Sequence, residues 1–526
     1  MKAINMRKTI SKTKIFLAPV VAALLTAAAY AAAPGITGPT FNLTAQAAYI
    51  TQPDGQAIYS WGYGCNGTPA GYAPAAISAT FCNTMQIPGP TLIVTEGQTV
   101  KVNLLNGLPT SAGNTSILFP GFNVTTTGGV VGLLTQEAAP GSSVAYTFTA
   151  TSPGTHSYYS GSQSDLQVEM GLYGAVIVLP ANPPANCSAG LAASNRTAQN
   201  FWGESDYRLA NAAYDHAKTC YDREYLFQFS EMDPNIHNQA LAQVTAAGAC
   251  VAGAVGCSLS VPTEPYHPAY FMINGRSMPD DMDPNYASFY PHQPYNGNPH
   301  MHPGEQVLIR VIGQGRWQHP FHEHANHVRI LGRDGNLILS ATDANSLAGP
   351  LMFTTTTTPG QAFDGIFYYT GKGLNWDMYA HNPASTDATA KLTCTPDANG
   401  YNTGAPTAIN YFEWCQDHNK PVQAAPFGDV AAGGPVTLPD ANILVNGAWY
   451  GGSPYLGPNA TTRAVGPTGS TPPSGTIANS PTGEAGFAFM WHSHNEREIT
   501  TNNSFPGGML MMMLVDSREF VIDESN

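Results

Sequence analysis

Two short segments of the sequence place histidines at alternating positions. His322 and His324 are separated by one residue, and so are His492 and His494. Because side chains alternate across a β-strand, each pair projects from one face of its strand. If the two strands are neighbours, four imidazoles converge, and imidazole binds copper, zinc, iron and nickel. The spacing therefore predicts a metal site, the alternative being ordinary histidines that are hydrogen-bonded inside a sheet.

Other polar residues lie near these pairs. His319 has the opposite strand parity, so its ring can point away from the predicted site. His300 and His302 also alternate, but on a proline-flanked turn, where solvation explains them equally well. For His327 we expect surface exposure. Three further candidates stay open between ligand and ordinary roles, namely His381, Glu496 and Glu498.

The chain is too long for one hydrophobic core. It has 526 residues, with 53 Gly and 42 Pro and only 11% charged residues. Domains stop growing at roughly 250–300 residues, so two or three are expected. The Gly and Pro content favours short strands joined by tight turns, and therefore an all-β fold.

Strand patterns recur in the same order in two halves of the sequence, which predicts a duplicated β-domain. We place the first copy at residues 40–180, a connector at 181–221 and the second copy at 222–516, with a loop-rich insertion at about 382–482. The matching landmarks are Pro88–Leu104 with residues 303–311, Leu118–Gly121 with His322–Ala325, Pro140–Phe148 with Pro359–Ile366, and Tyr158–Leu179 with Trp491–Val515.

Residues 1–31 are predicted to be a secretory signal. A basic start precedes an apolar stretch, and Ala29-Tyr30-Ala31 resembles a cleavage site. We expect no membrane span after its removal, and export to the periplasm or the outside. The chain counts 35 acidic and 21 basic residues. This acidic balance argues against a nucleic-acid partner, which requires a basic face.

Eight cysteines in an exported chain predict disulfides. Sequential pairing is one of many connectivities that the spacing allows. The pairs would be Cys65–Cys82, Cys187–Cys220, Cys250–Cys257 and Cys394–Cys415.

Several motifs resemble the multicopper oxidase family, whose members repeat cupredoxin-like domains. The amino-acid sequence of residues 486–515 is most similar to that of a bacterial subgroup that includes proposed manganese oxidases. The resemblance implies tandem Greek-key β-sandwiches and copper as the cofactor. It implies that His319 serves an electron-accepting copper (type 1), that the paired histidines serve an oxygen-reducing cluster, and that Met509 takes an axial position. The motifs are Gln318–His324, Trp491–His494 with Pro506–Met509, Pro88–Thr91 and Gly171–Gly174.

The sequence departs from the family at three places. Ser493 stands where the family has the cysteine whose thiolate makes a blue copper site. The two histidine pairs of the first domain are replaced by Leu118-Phe119-Pro120 and by Tyr159-Ser160-Gly161, and His156 lies three positions out of place. The metal ligands that remain are His322, His324, His492 and His494, with His319 nearby.

Three functions fit these residues. A copper-dependent oxidoreductase would pass electrons from a small reductant, either a metal ion or a phenol, to oxygen. A non-catalytic copper-binding protein would keep one ligand set without turnover. A structural surface protein would use the cupredoxin-like fold only as a scaffold. Zinc-dependent hydrolysis at the same histidines is a fourth alternative. The chain could also form a homo-oligomer.

Overall fold

The computed structural model describes residues 33–74, 82, 85–188, 208–370, 395–404, 452–456, 485–516 and 522. The predicted signal, His381, the Cys394–Cys415 pair and most of the insertion lie outside these residues. No helix in the described ranges is long and apolar enough to cross a bilayer. The domain boundaries given above remain predictions.

The first half of the described chain forms two five-stranded sheets. One sheet has the order β11-β12-β5-β1-β4 and the other the order β3-β2-β6-β10-β7, while β8 and β9 form a small hairpin. The strands are β1 (Gly35–Thr37), β2 (Thr40–Thr51), β3 (Ala57–Cys65), β4 (Tyr72–Ala73), β5 (Leu92–Thr95), β6 (Thr99–Asn106), β7 (Thr125–Gly128), β8 (Val130–Val131), β9 (Gln136–Glu137), β10 (Ser143–Thr149), β11 (Gly154–Tyr159) and β12 (Tyr173–Leu179), with a short helix α1 (Ser164–Gln167).

The second half repeats this arrangement with two further sheets. One has the order β14-β13-β16-β22-β18-β19 and the other the order β15-β25-β24-β17-β21. Helix α2 covers Pro234–Ala247. The strands are β13 (Arg223–Met232), β14 (Tyr270–Ile273), β15 (His300–Met301), β16 (Gln306–Gly313), β17 (His319–Glu323), β18 (Val328–Arg333), β19 (Asn336–Leu337), β20 (Leu351–Met352), β21 (Thr354–Thr357), β22 (Ala362–Tyr368), β23 (Gly452–Leu456), β24 (Ala485–Ser493) and β25 (Leu510–Asp516).

The two halves share their strand pairings. β6 pairs in parallel with β2 and antiparallel with β10, as β16 does with β13 and β22. β12 pairs in parallel with β5 and antiparallel with β11, as β25 does with β15 and β24. The predicted all-β, tandem cupredoxin-like fold is confirmed.

Period-two alternation explains why these segments are strands. In β6, Val100, Val102 and Leu104 are buried while Lys101 is exposed. The inward residues of the first half form one core around Trp61. Those of the second half form another core, which contains Phe321 and Trp491 from the two strands that carry histidine pairs.

Buried polar contacts join the two halves. The carboxylate of Asp364 accepts hydrogen bonds from the amide and the hydroxyl of Thr155, at 3.0 and 2.5 Å. Tyr214 donates to the same carboxylate at 2.6 Å, and the guanidinium of Arg310 lies 3.4 Å from it. Because Thr155 belongs to the first half, Asp364 fixes the second half against it.

Helix α2 belongs to the second half but packs on the first. Its first position is Pro234, and the side chain of Asp233 caps it by accepting from the Asn235 amide at 2.9 Å. Ile236 and Ala240 are buried in the core of the first half. The helix therefore adds apolar contact between the halves.

Three of the predicted disulfides are confirmed, namely Cys65–Cys82, Cys187–Cys220 and Cys250–Cys257. Disulfides persist mainly in oxidising compartments, which agrees with an extracellular setting.

Candidate metal centre

The two strands that carry histidine pairs are neighbours. β17 and β24 pair antiparallel, and His322 and His492 are direct partners in the register. Side chains of direct partners project from the same face of a sheet. The alternation along each strand adds His324 and His494 to that face. The sequence therefore brings four imidazoles to one place.

The four rings form a tight cluster. Ring centroids are separated by 4.6 Å between His322 and His324, and by 4.8 Å between His322 and His494. The His492 centroid lies 5.6, 5.1 and 5.4 Å from those of His322, His324 and His494. We call these four residues the imidazole cluster.

One nitrogen of His492 is directed into the cluster by a backbone contact. Its Nδ1 lies 2.7 Å from the carbonyl oxygen of Ser493. Because a carbonyl oxygen only accepts, Nδ1 carries the proton and Nε2 offers its lone pair. That Nε2 lies 3.1 Å from Nε2 of His324. At this separation the two nitrogens could both hold one metal ion.

The surroundings favour the neutral form of two of the rings, those of His322 and His492. Burial and then charge repulsion from the other rings lower the pKa of His322 to about 4. Burial also lowers the pKa of His492. Neutral imidazole is the form that binds metals. The donor set therefore suits a copper ion, although no three His, Cys, Asp or Glu side chains in the described ranges already form a metal-binding group. The rings would have to rotate around an ion.

The cluster is open at one edge. The side chain of His494 is 44% exposed. The ring of Phe353, 43% exposed, lies 5.7 Å from the ring of His322 and 4.9 Å from that of His327. On the inner side, Nδ1 of His322 forms a 2.6 Å hydrogen bond with the hydroxyl of Thr354. Of the four rings, only that of His494 is widely open to solvent, since the other three residues are buried.

His319 lies on the other face of β17 and has different partners. Its Nδ1 is 2.9 Å from Oε2 of Glu498, and its Nε2 is 3.0 Å from Oε2 of Glu231. All three side chains are buried. Both ring nitrogens of His319 face carboxylates in this structure, and its role as a metal ligand stays a prediction. Two carboxylates favour the doubly protonated ring.

The charge of His319 makes its contribution to stability depend on pH. Burial alone lowers the pKa, but hydrogen bonds to Glu231 and Glu498 outweigh it and raise the pKa to about 9. The unfolded value is about 6.5, so this stabilisation is complete below about pH 6.5 and is lost as pH rises through about 9. We expect thermal unfolding to shift to lower temperature over that interval. His319→Gln should be less stable at pH 6 and show a smaller alkaline decline, and equal declines would contradict the assignment.

Ser493 joins this second group rather than the imidazole cluster. Its hydroxyl donates a short hydrogen bond to Oε2 of Glu498. Met509 is buried in the apolar core of the second half. The site that the family resemblance assigned to a type 1 copper thus holds a hydrogen-bonded group, namely Glu231, His319, Ser493 and Glu498, which we call the carboxylate clamp.

The first half offers no equivalent cluster at the matching position. Leu118 bridges to Tyr159 there, just as His322 pairs with His492 in the second half. His156 is buried, and its Nε2 lies 3.1 Å from the carbonyl oxygen of Ser152. The first-domain positions that lack the histidine pairs of the family are therefore occupied by a contact between an apolar and an aromatic residue.

Burial changes the interpretation of three further residues. His300 and His302, left open between solvated and ordered, are buried at 4% and 2% exposure. Glu498, left open between cation binding and exposure, is buried in the carboxylate clamp. Sequence analysis missed Glu231 and Thr354 altogether. No local motif marks them, because Thr354 reaches the site through the pairing of β21 with β17, and Glu231 reaches it from β13, which belongs to the other sheet of the second half.

Comparison with known proteins points to one family. A family model described as multicopper oxidase matches residues 72–183. The multicopper oxidase MCE of Talaromyces pinophilus is 38% identical over 125 residues, which are 22% of this chain and 20% of that protein. Laccase abr2 of Aspergillus fumigatus is 37% identical over 98 residues, 18% and 16% of the two chains. The matched stretch thus spans about a fifth or less of these curated relatives.

Solved structures with similar coordinates include the blue copper oxidase from Nitrosomonas europaea. It is 15% identical, covers 90% of this chain and 85% of its own, and has a TM-score of 0.44. The multicopper oxidase mgLAC gives the same identity, coverage and TM-score. The sequence matches support the resemblance to multicopper oxidases. The family model, however, matches the first half, whereas the imidazole cluster lies in the second.

Proposed function

We propose that the protein is an exported, copper-dependent oxidoreductase that passes electrons from a small reductant to oxygen. Multicopper oxidases bind copper. The observation that carries the proposal is the convergence of four imidazoles on two directly paired strands. Bound copper would supply the one-electron redox change that links reductant and oxygen.

The residues of the chain would hold the copper and admit the reductant. His322, His324, His492 and His494 are the proposed ligands. The Ser493 carbonyl fixes the His492 ring, and the Thr354 hydroxyl holds the His322 ring. Hydrogen bonds of this kind orient metal-binding imidazoles and raise ligand basicity. The open edge at His494 gives a small donor direct access, so a separate electron-accepting copper is not required.

The nature of the reductant is part of the proposal. An aromatic donor could stack on the half-exposed ring of Phe353. A metal-ion donor fits the exposed carboxylate of Glu496, whose Oε1 lies 3.5 Å from Nδ1 of His494. The metal-ion alternative also agrees with the resemblance of residues 486–515 to proposed manganese oxidases.

One observation favours a second function, that of a copper-binding protein without turnover. The carboxylate clamp occupies the place of the electron-accepting copper, so the usual route for electrons is closed. Such a protein would bind copper at the same imidazole cluster but would not consume oxygen.

Oxygen consumption by the purified, copper-loaded protein separates these functions. With a phenol or Mn²⁺ as donor, we expect a rate above that of the same concentration of free copper. The copper-loaded His267→Ala variant is the control, because His267 is exposed and is not one of the proposed ligands. Tight copper binding with no oxygen uptake above free copper would favour the non-catalytic function.

A further inference from the structure

Glu498 organises the turn that carries His494. The residue is 1% exposed. Its Oε2 accepts hydrogen bonds from the Ser493 hydroxyl and from Nδ1 of His319, and its Oε1 accepts from the Asn495 amide group at 2.9 Å. Both oxygens of one buried carboxylate are therefore engaged by three different donors.

Backbone contacts join this turn to both neighbouring strands. The amide of Ser493 donates to the Met509 carbonyl at 2.9 Å, and the amide of Met509 donates to the Glu498 carbonyl at 2.8 Å. The amide of His494 donates to the Pro320 carbonyl at 2.7 Å. The segment from Ser493 to Glu498 is thus held at its start by β17 and at both ends by Met509, the residue that precedes β25.

Ser493 connects this carboxylate to the imidazole cluster. Its hydroxyl donates to Glu498, while its carbonyl oxygen accepts the Nδ1 proton of His492. A change in the side chain of Ser493 alters the torsions of the same residue whose carbonyl holds His492. The position of the His492 ring therefore depends on Glu498 through one intervening residue.

We propose that Glu498 is a positioning residue that sets the direction of His492 and His494 through Ser493. At this turn, the hydrogen bonds of Glu498 take the place of a metal–thiolate bond in fixing the backbone. The proposal rests on the proposed function in taking the imidazole cluster as a copper site. It adds a residue, Glu498, that touches neither the ion nor the reductant.

Glutamine cannot replace this carboxylate. The three donors around Glu498 need acceptors on both of its oxygens. A glutamine side chain has one acceptor oxygen and one amide group that only donates. One donor of Ser493, His319 or Asn495 would then face another donor in a buried site, and the turn would have to move.

The test compares two buried Glu→Gln variants that contact opposite nitrogens of the same imidazole. Glu498→Gln disturbs both His319 and Ser493 directly. Glu231→Gln disturbs His319 and the amides of Arg316 and Trp317 but has no direct contact with Ser493. Copper affinity is measured by competition with a chelator in the full chain. We expect Glu498→Gln to lose about 10–100-fold, as outer-shell changes do, and Glu231→Gln to keep nearly the wild-type affinity. Equal losses in the two variants, or none in Glu498→Gln, would overturn the proposal.

A copper-free measurement keeps this test separate from the proposed function. In the apo protein, the Nδ1 proton of His492 should give a slowly exchanging imidazole resonance in the wild type and in Glu231→Gln. It should be lost or exchange fast in Glu498→Gln. Copper binding can therefore fail while the positioning role is still confirmed or overturned. If Glu498→Gln does not fold, Ser493→Ala removes the same link, and an unchanged His492 resonance in that variant would contradict the role.

Discussion

Replacing His492 and His494 together by alanine should abolish copper binding at the imidazole cluster. Half of the proposed ligands are lost, including the His492 nitrogen that lies 3.1 Å from His324. Outer-shell changes alone cost about 10–100-fold in metal affinity, so the loss should exceed about 100-fold. Chelator competition and metal analysis of the purified variant measure it.

The matched control removes two histidines that lie away from the cluster. His267 is exposed, and His216 is partly buried, with its ring bonded to the Ala344 carbonyl and the Lys218 amide. His216→Ala with His267→Ala therefore removes the same number of imidazoles but none of the proposed ligands. This control should bind copper as the wild type does. Retained tight binding in the His492/His494 variant would place the copper elsewhere and would remove the basis of the proposed function.

Restoring the cysteine alone should not restore a blue copper site. A blue centre needs one thiolate and two imidazoles around the ion. In Ser493→Cys the thiolate would be present, but both nitrogens of His319 remain engaged by Glu231 and Glu498. Copper-loaded Ser493→Cys should therefore lack the intense blue absorption. It should also lose roughly 1–3 kcal/mol of stability, because the buried Ser493–Glu498 hydrogen bond is removed.

A double variant supplies the comparison. Glu498 contacts both Ser493 and His319, so Ser493→Cys with Glu498→His places a second imidazole next to the thiolate and frees Nδ1 of His319. We expect blue absorption in this variant and not in the single one. A blue Ser493→Cys protein would show that His319 leaves its carboxylates readily and that the carboxylate clamp is weak.

The sequence predicted the fold and the imidazole cluster because both depend on period-two patterns. Alternation in β6 and β16 identified matching strands, and alternation within each histidine pair put its two rings on one strand face. That β17 and β24 are neighbours, with His322 opposite His492, is seen only in the structure. Alternation also placed His319 on the opposite face. These features follow from backbone geometry, which a local pattern encodes.

The carboxylate clamp could not be predicted in the same way. Glu231 lies on β13, a strand whose side chains are buried along its whole length, and meets His319 across 88 positions of sequence. Glu498 lies in a short turn whose local sequence is charged, so cation binding and solvent exposure explained it equally well. Burial of a charge is decided by tertiary partners, since it is tolerated only with compensating hydrogen bonds.

The two halves of the chain differ in how they resemble multicopper oxidases. The matched region, residues 72–183, retains the sandwich but has Leu118 and Tyr159 at the histidine positions. The second half retains one histidine set and replaces the type 1 site with charges. Asp364 and helix α2 fix the first half to the second.

The most direct test is electron paramagnetic resonance on the copper-loaded native protein. Electron spin echo measurements on the same sample count the imidazole nitrogens that are coupled to the ion. The account predicts copper coordinated by several imidazoles, with no thiolate character, and loss of this signal in the His492/His494 variant. A signal without imidazole coupling, or one that survives in that variant, would contradict it.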